Sequence, residues 1–417
     1  MRVYYILLIL FLGLSSCEDK PVTIVLQNPA NIERMDECFV ISRTDLKVND
    51  NILVPIIKNI DGTYVPCQLD DIDKDGVWDE LAFVYTLKAN ERIELIIDLI
   101  SVDDYPDFKK RTNIRYGKMI YPGHVEELNS DSHGKTGLPR GTDYPYQMDG
   151  PAWENDKIAF RHYFDGRNCR DLFGKKVSEM ILDTVGIDDD GNPANTYQTM
   201  SDWGLDILSV AGSFGIGGLA IEKGDSLARL GITYNETTDV IDSTRYELLV
   251  EGPVRSIFKL EYKSWNIGDA NVDIQEYITM WAGKYGYEEV VHVSGLPQNA
   301  NIITGIPTNL LSQEPIDLCL DSGWRIMATF DRQTVNVESC LGMAIVFPKL
   351  GVKDFFKTPH NDSWCARLLC DSEGFCKFHV LAGWEYGPEP FTDKEQFMRM
   401  VRAYAEMLSN PSIVIIK

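Results

Sequence analysis

Apolar residues recur at alternate positions, or in short unbroken runs, along most of the chain, with polar, Gly- and Pro-rich breaks between. That spacing is the signature of β-strands joined by tight turns. Val22-Thr23-Ile24-Val25-Leu26 opens the series. Cys38–Ile41, Leu53–Ile56, Tyr64–Cys67 and Arg92–Leu99 follow at close intervals. They predict a small N-terminal β-sandwich over residues 18–105, after a tether at 18–30. Residues 106–149 carry little periodicity and predict a linker or loop region. From 150 to 417 the strand pattern resumes: Tyr246–Val250, Val254–Tyr262 after a Gly252-Pro253 kink, Val272–Met280, Glu288–Ser294, Leu341–Phe347 and Lys377–Trp384. One helix is predicted late. Thr392 to Glu395 has the spacing of a capping box, and Phe397, Met398, Val401, Ala405 and Leu408 follow at helical spacing before Pro411. The expected fold is mainly β with few helices: a small sandwich, then a large two-sheet β-supersandwich over 150–417.

The first seventeen residues are a separate unit. Arg2 precedes an apolar run, Val3–Leu14, that is too short to span a bilayer. Leu14-Ser15-Ser16-Cys17 then matches a bacterial lipobox, and resembles a lipoprotein signal with Cys17 as the lipidated residue. Glu18-Asp19-Lys20 resembles the surface-export signal of glycan-degrading Gram-negative bacteria. The expectation is a protein lipid-anchored to the outer membrane, at the cell surface or on the periplasmic face, touching membrane only through its anchor.

Composition changes the picture at one point. The chain of 417 residues has 63 acidic against 40 basic side chains, a formal charge of −23. Nothing in that balance would neutralise phosphates, so nucleic acid is excluded as a partner. A local arginine cluster in an acidic protein still binds an anionic ligand. Nine cysteines minus Cys17 leave eight. None forms paired CxxC zinc spacing. Asp371-Ser372-Glu373-Gly374 reads as a hairpin turn; a bridge between Cys370 and Cys376 needs a five-residue loop, and a four-residue loop would place them out of register.

Residues 71–80, Asp-Ile-Asp-Lys-Asp-Gly-Val-Trp-Asp-Glu, have the spacing of a calcium loop. Asp71, Asp73 and Asp75 would supply carboxylates, Val77 a backbone carbonyl, and Asp79 would close the shell. Ala82 occupies the position where an EF-hand has glutamate, so the loop resembles the shorter form found between strands. The expected cofactor is a structural Ca²⁺.

The densest chemistry lies between Gly150 and Gly218. Trp153, Glu154, Asp156, Arg161, His162, Tyr163, Arg167 and Arg170 are followed by Tyr197, Asp202, Trp203 and Asp206. Aromatic faces stack on sugar rings and guanidinium forks bind carboxylates or sulfates, so the expected ligand is an acidic oligosaccharide. Trp153, Glu154, Arg167, Arg170, Trp203 and His124 are the candidate substrate-binding residues. His133, Arg140 and Tyr144 stand in the same linker as His124. Elimination from a uronic acid needs a base and a cation for the carboxylate. Arg161 and His162 are adjacent, so on a strand they point to opposite faces. Either His162 faces the cleft with Arg167 or Arg170 as clamp, or Arg161 faces it and the base is His124, Tyr197 or Asp206. The catalytic candidates are therefore His162, Arg161, Tyr197 and Asp206. An epimerase or mutarotase-like enzyme, using Glu154 or Asp206, and a non-catalytic glycan-binding lipoprotein are the alternatives.

The lipobox, the DIDKDGVWDEL loop, WENDKIAFRHY, SDWGLDIL with its following GxGG, and EGPVRSIF together resemble the family of domain of unknown function 4861. That resemblance covers most of the mature chain. It implies a component of a bacterial polysaccharide-utilisation system, and a dehydratase acting on uronic-acid-ended oligosaccharides. Some members carry histidines before the GLD element, where this chain has Gln198 and Ser201. The strand-rich architecture is similar to the supersandwich of mutarotases and lyase C-terminal domains.

Overall fold

The computed structural model describes residues 22–48, 52–136, 138, 145–233, 236, 238–358 and 362–417. Cys17 with its lipobox, and Arg140 and Tyr144, lie outside the described residues. Among the described residues the chain is mainly β, in antiparallel sheets, with two α-helices, Arg43–Leu46 and Lys394–Ser409.

A nine-stranded sheet forms the backbone of the molecule. Its order runs from Ser130–Gly134 through Ser243–Glu251, Arg255–Asn266, Asn271–Trp281, Gly286–Ser294, Phe375–Trp384, Leu341–Pro348 and Trp324–Asp331 to Ile316–Cys319. Two five-stranded sheets pack against it. One is Gly204–Asp206, Arg170–Lys175, Ala159–His162, Ala152–Asn155 and Thr112–Arg115. The other is Ser226–Arg229, Leu219–Lys223, Ala300–Pro307, Ser363–Leu368 and Val352–Lys357. A single apolar core joins all three, from Trp153 and Phe160 to Phe258, Tyr287 and Phe378.

Sequence pattern explains which strands are covered once and which twice. Asn271–Trp281 alternates buried and partly exposed side chains, because one face meets the core and the other meets solvent. Leu341–Pro348 is apolar throughout and buried at all but its last position. Its second face lies under the helix Lys394–Ser409, whose Phe397, Met398, Val401 and Ala405 pack on Ala344 and Val346. The helix starts one residue later than the capping-box spacing predicts. Asp393 is the N-cap, and its carboxylate accepts the Gln396 N–H at 2.8 Å.

The N-terminal sandwich stacks Val22–Gln27, Arg92–Ser101 and Leu53–Lys58 on Arg34–Ser42, Glu80–Leu87 and Cys67–Asp70, around Ile24, Phe39, Phe83 and Leu95. Its fourth edge strand comes from the far end of the chain: Ile413–Ile416 pairs with Val22–Gln27, Ile416 opposite Ile24. The sandwich is fastened to the nine-stranded sheet by Arg255. Its guanidinium reaches Asp70 and Glu80, while the Gln68 amide oxygen accepts the Val254 and Arg255 N–H groups at 2.9 Å each.

The Cys370 hairpin takes the register that sets its two cysteines face to face. The turn closes with the Asp371 N–H on the Phe375 carbonyl at 2.8 Å, one residue tighter than a four-residue turn. Cys370 and Cys376 therefore lie opposite each other, with their thiols in hydrogen-bonding reach.

Candidate functional site

The hairpin Ala159–His162 / Arg170–Lys175 decides where each candidate side chain goes. The turn around Asp165-Gly166 sets Arg161 opposite Asp171 and His162 opposite Arg170. Alternation then sends Phe160, His162, Arg170 and Leu172 into the sandwich core. It sends Ala159, Arg161, Asp171, Phe173 and Lys175 to the outer face, which residues 176–203 roof over with Leu182, Val185, Tyr197 and Trp203. Gly204 begins the strand that brings Asp206 alongside. Its φ is 132°, and a Cβ there would sit 1.8 Å from the Gly174 carbonyl oxygen, so only glycine fits.

Arg161 is the hub of the outer face. Its Nε and Nη2 donate to Asp171 at 2.9 and 2.6 Å, and Nη2 donates to Asp206 at 2.8 Å and to the Tyr163 hydroxyl at 2.8 Å. Nη1 reaches Asp149 at 3.3 Å. The guanidinium also lies 4.7 Å from the ring centroids of both Tyr163 and Tyr197. Asp149 is presented by strained backbone, with φ of 54° at Met148 and 64° at Asp149. Such conformations cluster at functional sites.

Three carboxyl groups around one cation in a dry setting push proton affinities apart. Burial and the neighbouring Asp171 raise the Asp206 carboxyl to about 8. Burial raises the Asp149 carboxyl too, against the pull of Arg161 and Arg167. Asp206 is 7% exposed, and its Oδ1 has no hydrogen-bond partner. Burial holds the Tyr163 phenol well above its usual range, so it keeps its proton and donates to Asp171 at 2.5 Å.

Tyr163 connects this cluster to a pocket of about 380 Å³, lined by Tyr163, Arg167, Cys169, Val210, Ala211, Gly212, Arg229, Ile232 and Thr233. Arg167 lies over the Tyr163 ring at 3.9 Å and is held by Asp165 at 2.8 Å.

Four candidates face elsewhere, and their expected roles are corrected. His162 is fully buried between Arg170 and the Tyr262 hydroxyl, 3.3 Å from Nε2. Burial and the Arg170 charge hold its imidazole well below the usual range, so it is neutral and out of reach of substrate. Trp153 is fully buried against Phe258 and Tyr287 and offers no face to a sugar. Glu154 is spent within the fold: it binds Lys175 at 2.5 Å and accepts the Ile181 and Leu182 N–H groups at 2.7 and 2.8 Å. Arg170 points inward to Glu276 at 2.8 Å and Glu289 at 3.5 Å. Of the others, Trp203 is half-buried with its edge on Phe173, and His124 stands exposed, stacked on Tyr121 at 4.7 Å. Arg161, Tyr197, Asp206 and Arg167 come together.

Asp149, Asp171 and Arg229 were not among the residues singled out from sequence. Asp171 had a signal: the Asp-Gly turn centred on Gly166 makes it the partner of Arg161. Asp149 and Arg229 join the cluster only through tertiary packing.

In the calcium-type loop, carboxylate oxygens of Asp71, Asp73 and Asp79 lie within 4.8 Å of one another. The Gly76 N–H donates to Asp71 at 2.9 Å, and the Ile72 N–H to Asp79 at 2.8 Å. Asp75 is outside that group and accepts the Val77 N–H at 2.8 Å. A hard cation fits these oxygens. Adding Ca²⁺ is expected to raise the melting temperature and a chelator to lower it, about 2.7 kcal/mol at a hundredfold excess over Kd. An unchanged melting curve in calorimetry would remove the ion from the account.

Against known proteins, the profile described as Domain of unknown function (DUF4861) matches residues 26–414. The chain belongs to the DUF4861 family. This DUF4861 chain is 23% identical over 415 residues to a protein from Formosa agariphila described as "Uncharacterized protein P7", covering 94% of this chain and 93% of the relative. In fold it is similar to a glycosyl hydrolase family 38 protein from Enterococcus faecalis, with TM-score 0.50 and 10% identity, over 96% of this chain and 48% of that one. An α-mannosidase from Enterococcus faecalis V583 gives TM-score 0.50 and 9% identity, over 96% and 46%. The DUF4861 chain thus spans about half the length of these two structures, and the likeness concerns fold alone.

Proposed function

We propose that the chain is a carbohydrate lyase or dehydratase acting on uronic-acid-containing oligosaccharides, anchored to the outer membrane through lipid on Cys17 and carrying a structural Ca²⁺ in the Asp71–Asp79 loop. The observation that carries the reading is Asp206, a nearly buried carboxyl with a proton affinity near neutrality and one unpartnered oxygen, beside the phenol of Tyr163. Elimination from a uronic acid removes the proton beside the carboxylate and expels a hydroxyl or alkoxyl from the adjacent carbon. Asp206 takes the proton in its ionised form. The Tyr163 phenol, kept protonated, supplies a proton to the leaving oxygen and takes one back from solvent through the pocket it lines, while Asp206 releases the proton it has taken. Arg161 is a positioning residue: its forks are occupied by Asp171, Asp206 and Asp149, so it orients the acid–base pair and leaves the substrate carboxylate to other cations.

The test is ultraviolet absorbance in the unsaturated-uronate band, with the purified chain and a panel of uronic-acid oligosaccharides. The expected result is a rise with at least one substrate, lost in Tyr163→Phe. Binding to a substrate without any rise would replace this reading with glycan binding alone.

A further inference from the structure

The pocket beside Tyr163 is unusual for so acidic a chain. Its lining includes two arginines and no carboxylate, in a protein with 63 acidic and 40 basic side chains. The two arginines are not equivalent. Arg167 is compensated, with Asp165 at 2.8 Å and Asp149 at 3.8 Å. Arg229, at the end of the strand Ser226–Arg229, has no carboxylate in ion-pair range among the described residues. Its Nη2 donates weakly to the Arg167 carbonyl at 3.5 Å, and its Nε is buried without a partner. A guanidinium half-removed from water with open donors is costly unless an anion completes it. Cys169 offers no competing chemistry, because burial pushes its thiol up to about 11.

We infer that Arg229 is the specificity-determining residue of this pocket and binds an oxyanion on the saccharide, the uronate carboxylate, in two-point fashion. This rests on the reading of Tyr163 and Asp206 as the reacting end, and adds the group that recognises the charge Arg161 cannot reach. Arg167, fixed by Asp165 and stacked on Tyr163, forms the wall against which that anion is oriented. The planar fork of Arg229 matches a carboxylate, and a lysine there would keep the charge and lose the two-point geometry.

The experiment is calorimetric binding of a uronic-acid disaccharide, its neutral hexose counterpart and inorganic sulfate, at fixed ionic strength, to the full chain and its variants. Wild type is expected to bind the uronate at least tenfold more tightly than the neutral sugar. Arg229→Gln is expected to lose that difference while binding the neutral sugar unchanged, and Arg229→Lys to recover only part of it. Competition by sulfate would widen the ligand class to oxyanions and support the subsite. Asp206→Asn should leave the uronate affinity within about twofold. If wild type binds the uronate through Arg229 but gives no elimination, the catalytic reading fails and the subsite stands. If Arg229→Gln binds the uronate as wild type does, or wild type shows no preference for the charged sugar, the subsite is wrong whatever the chemistry. Unchanged circular dichroism and melting of Arg229→Gln separate a binding loss from a folding loss.

Discussion

Asp206→Asn is expected to lower turnover of a uronic-acid substrate by about 10²- to 10⁴-fold, the usual worth of a positioned general base. Asparagine keeps the shape of the side chain and a hydrogen-bond acceptor for Arg161, so circular dichroism should stay close to wild type, and so should melting below about pH 4, where the aspartate is protonated in both the folded and the unfolded chain. The wild-type pH dependence has a definite sign. With its carboxyl raised to about 8, Asp206 is mostly protonated at neutrality, and activity should climb with pH as the base ionises through about 8. Stability should move the other way. A group whose proton affinity is higher in the folded chain than in the unfolded one stabilises fully below the unfolded value, and that contribution is lost as pH rises through the folded value. Between about pH 4 and 8 the wild type should therefore lose stability relative to Asp206→Asn. Melting curves of the two proteins across that range, alongside initial rates, check both signs.

Arg170→Met is expected to destabilise the fold by about 3–5 kcal/mol, a drop on the order of ten degrees in melting temperature. Arg170 is 1% exposed and forms the ion pair with Glu276 at 2.8 Å in the middle of the sandwich core. It also supports Glu289 and contacts His162. Burial and the Glu276 charge hold the Glu289 carboxyl well above its usual range, so that one guanidinium serves mainly one carboxylate. Glu276 Oε2 and Glu289 Oε2 lack hydrogen-bond partners, and among the described residues no cation besides Arg170 is in ion-pair range of either carboxyl. The diagnostic variant is Arg170→Met with Glu276→Gln. Removing charge on both sides should recover a large part of the loss, because the penalty comes from an unpaired buried charge rather than from lost attraction. A single variant that melts like wild type, measured calorimetrically, would contradict this account of the core.

Arg161 and Arg170 show how far the sequence could be read. Strand alternation places Arg161 and His162 on opposite faces, and neither residue alone reveals which face is roofed. That depends on residues 176–203 folding back over Ala152, Ala159 and Phe173. Glu276 and Glu289 stand more than a hundred residues beyond Arg170, on strands whose alternation reads as ordinary half-buried sheet. Nothing local marks the two glutamates as core residues. The strand pattern, the late helix and the mainly β class were legible, because they follow from periodicity. The strand Ile413–Ile416 was missed, since a short apolar tail has no meaning until the edge of Val22–Gln27 is known to be open. The clustering of Asp71, Asp73 and Asp79 was legible because these carboxylates lie on one short loop of chain. Arg229 was not, because its significance is the absence of a partner, which only the packed structure reveals.

The most direct measurement is the titration of the Asp206 carboxyl itself, followed by carbon-13 NMR of protein labelled at aspartate carboxyls, with Asp206→Asn for assignment. The account predicts a midpoint near 8, set by burial and by Asp171. A midpoint near the ordinary aspartate value of about 4 would mean that Asp206 is a plain ion-pair partner of Arg161, with no poised base at the site.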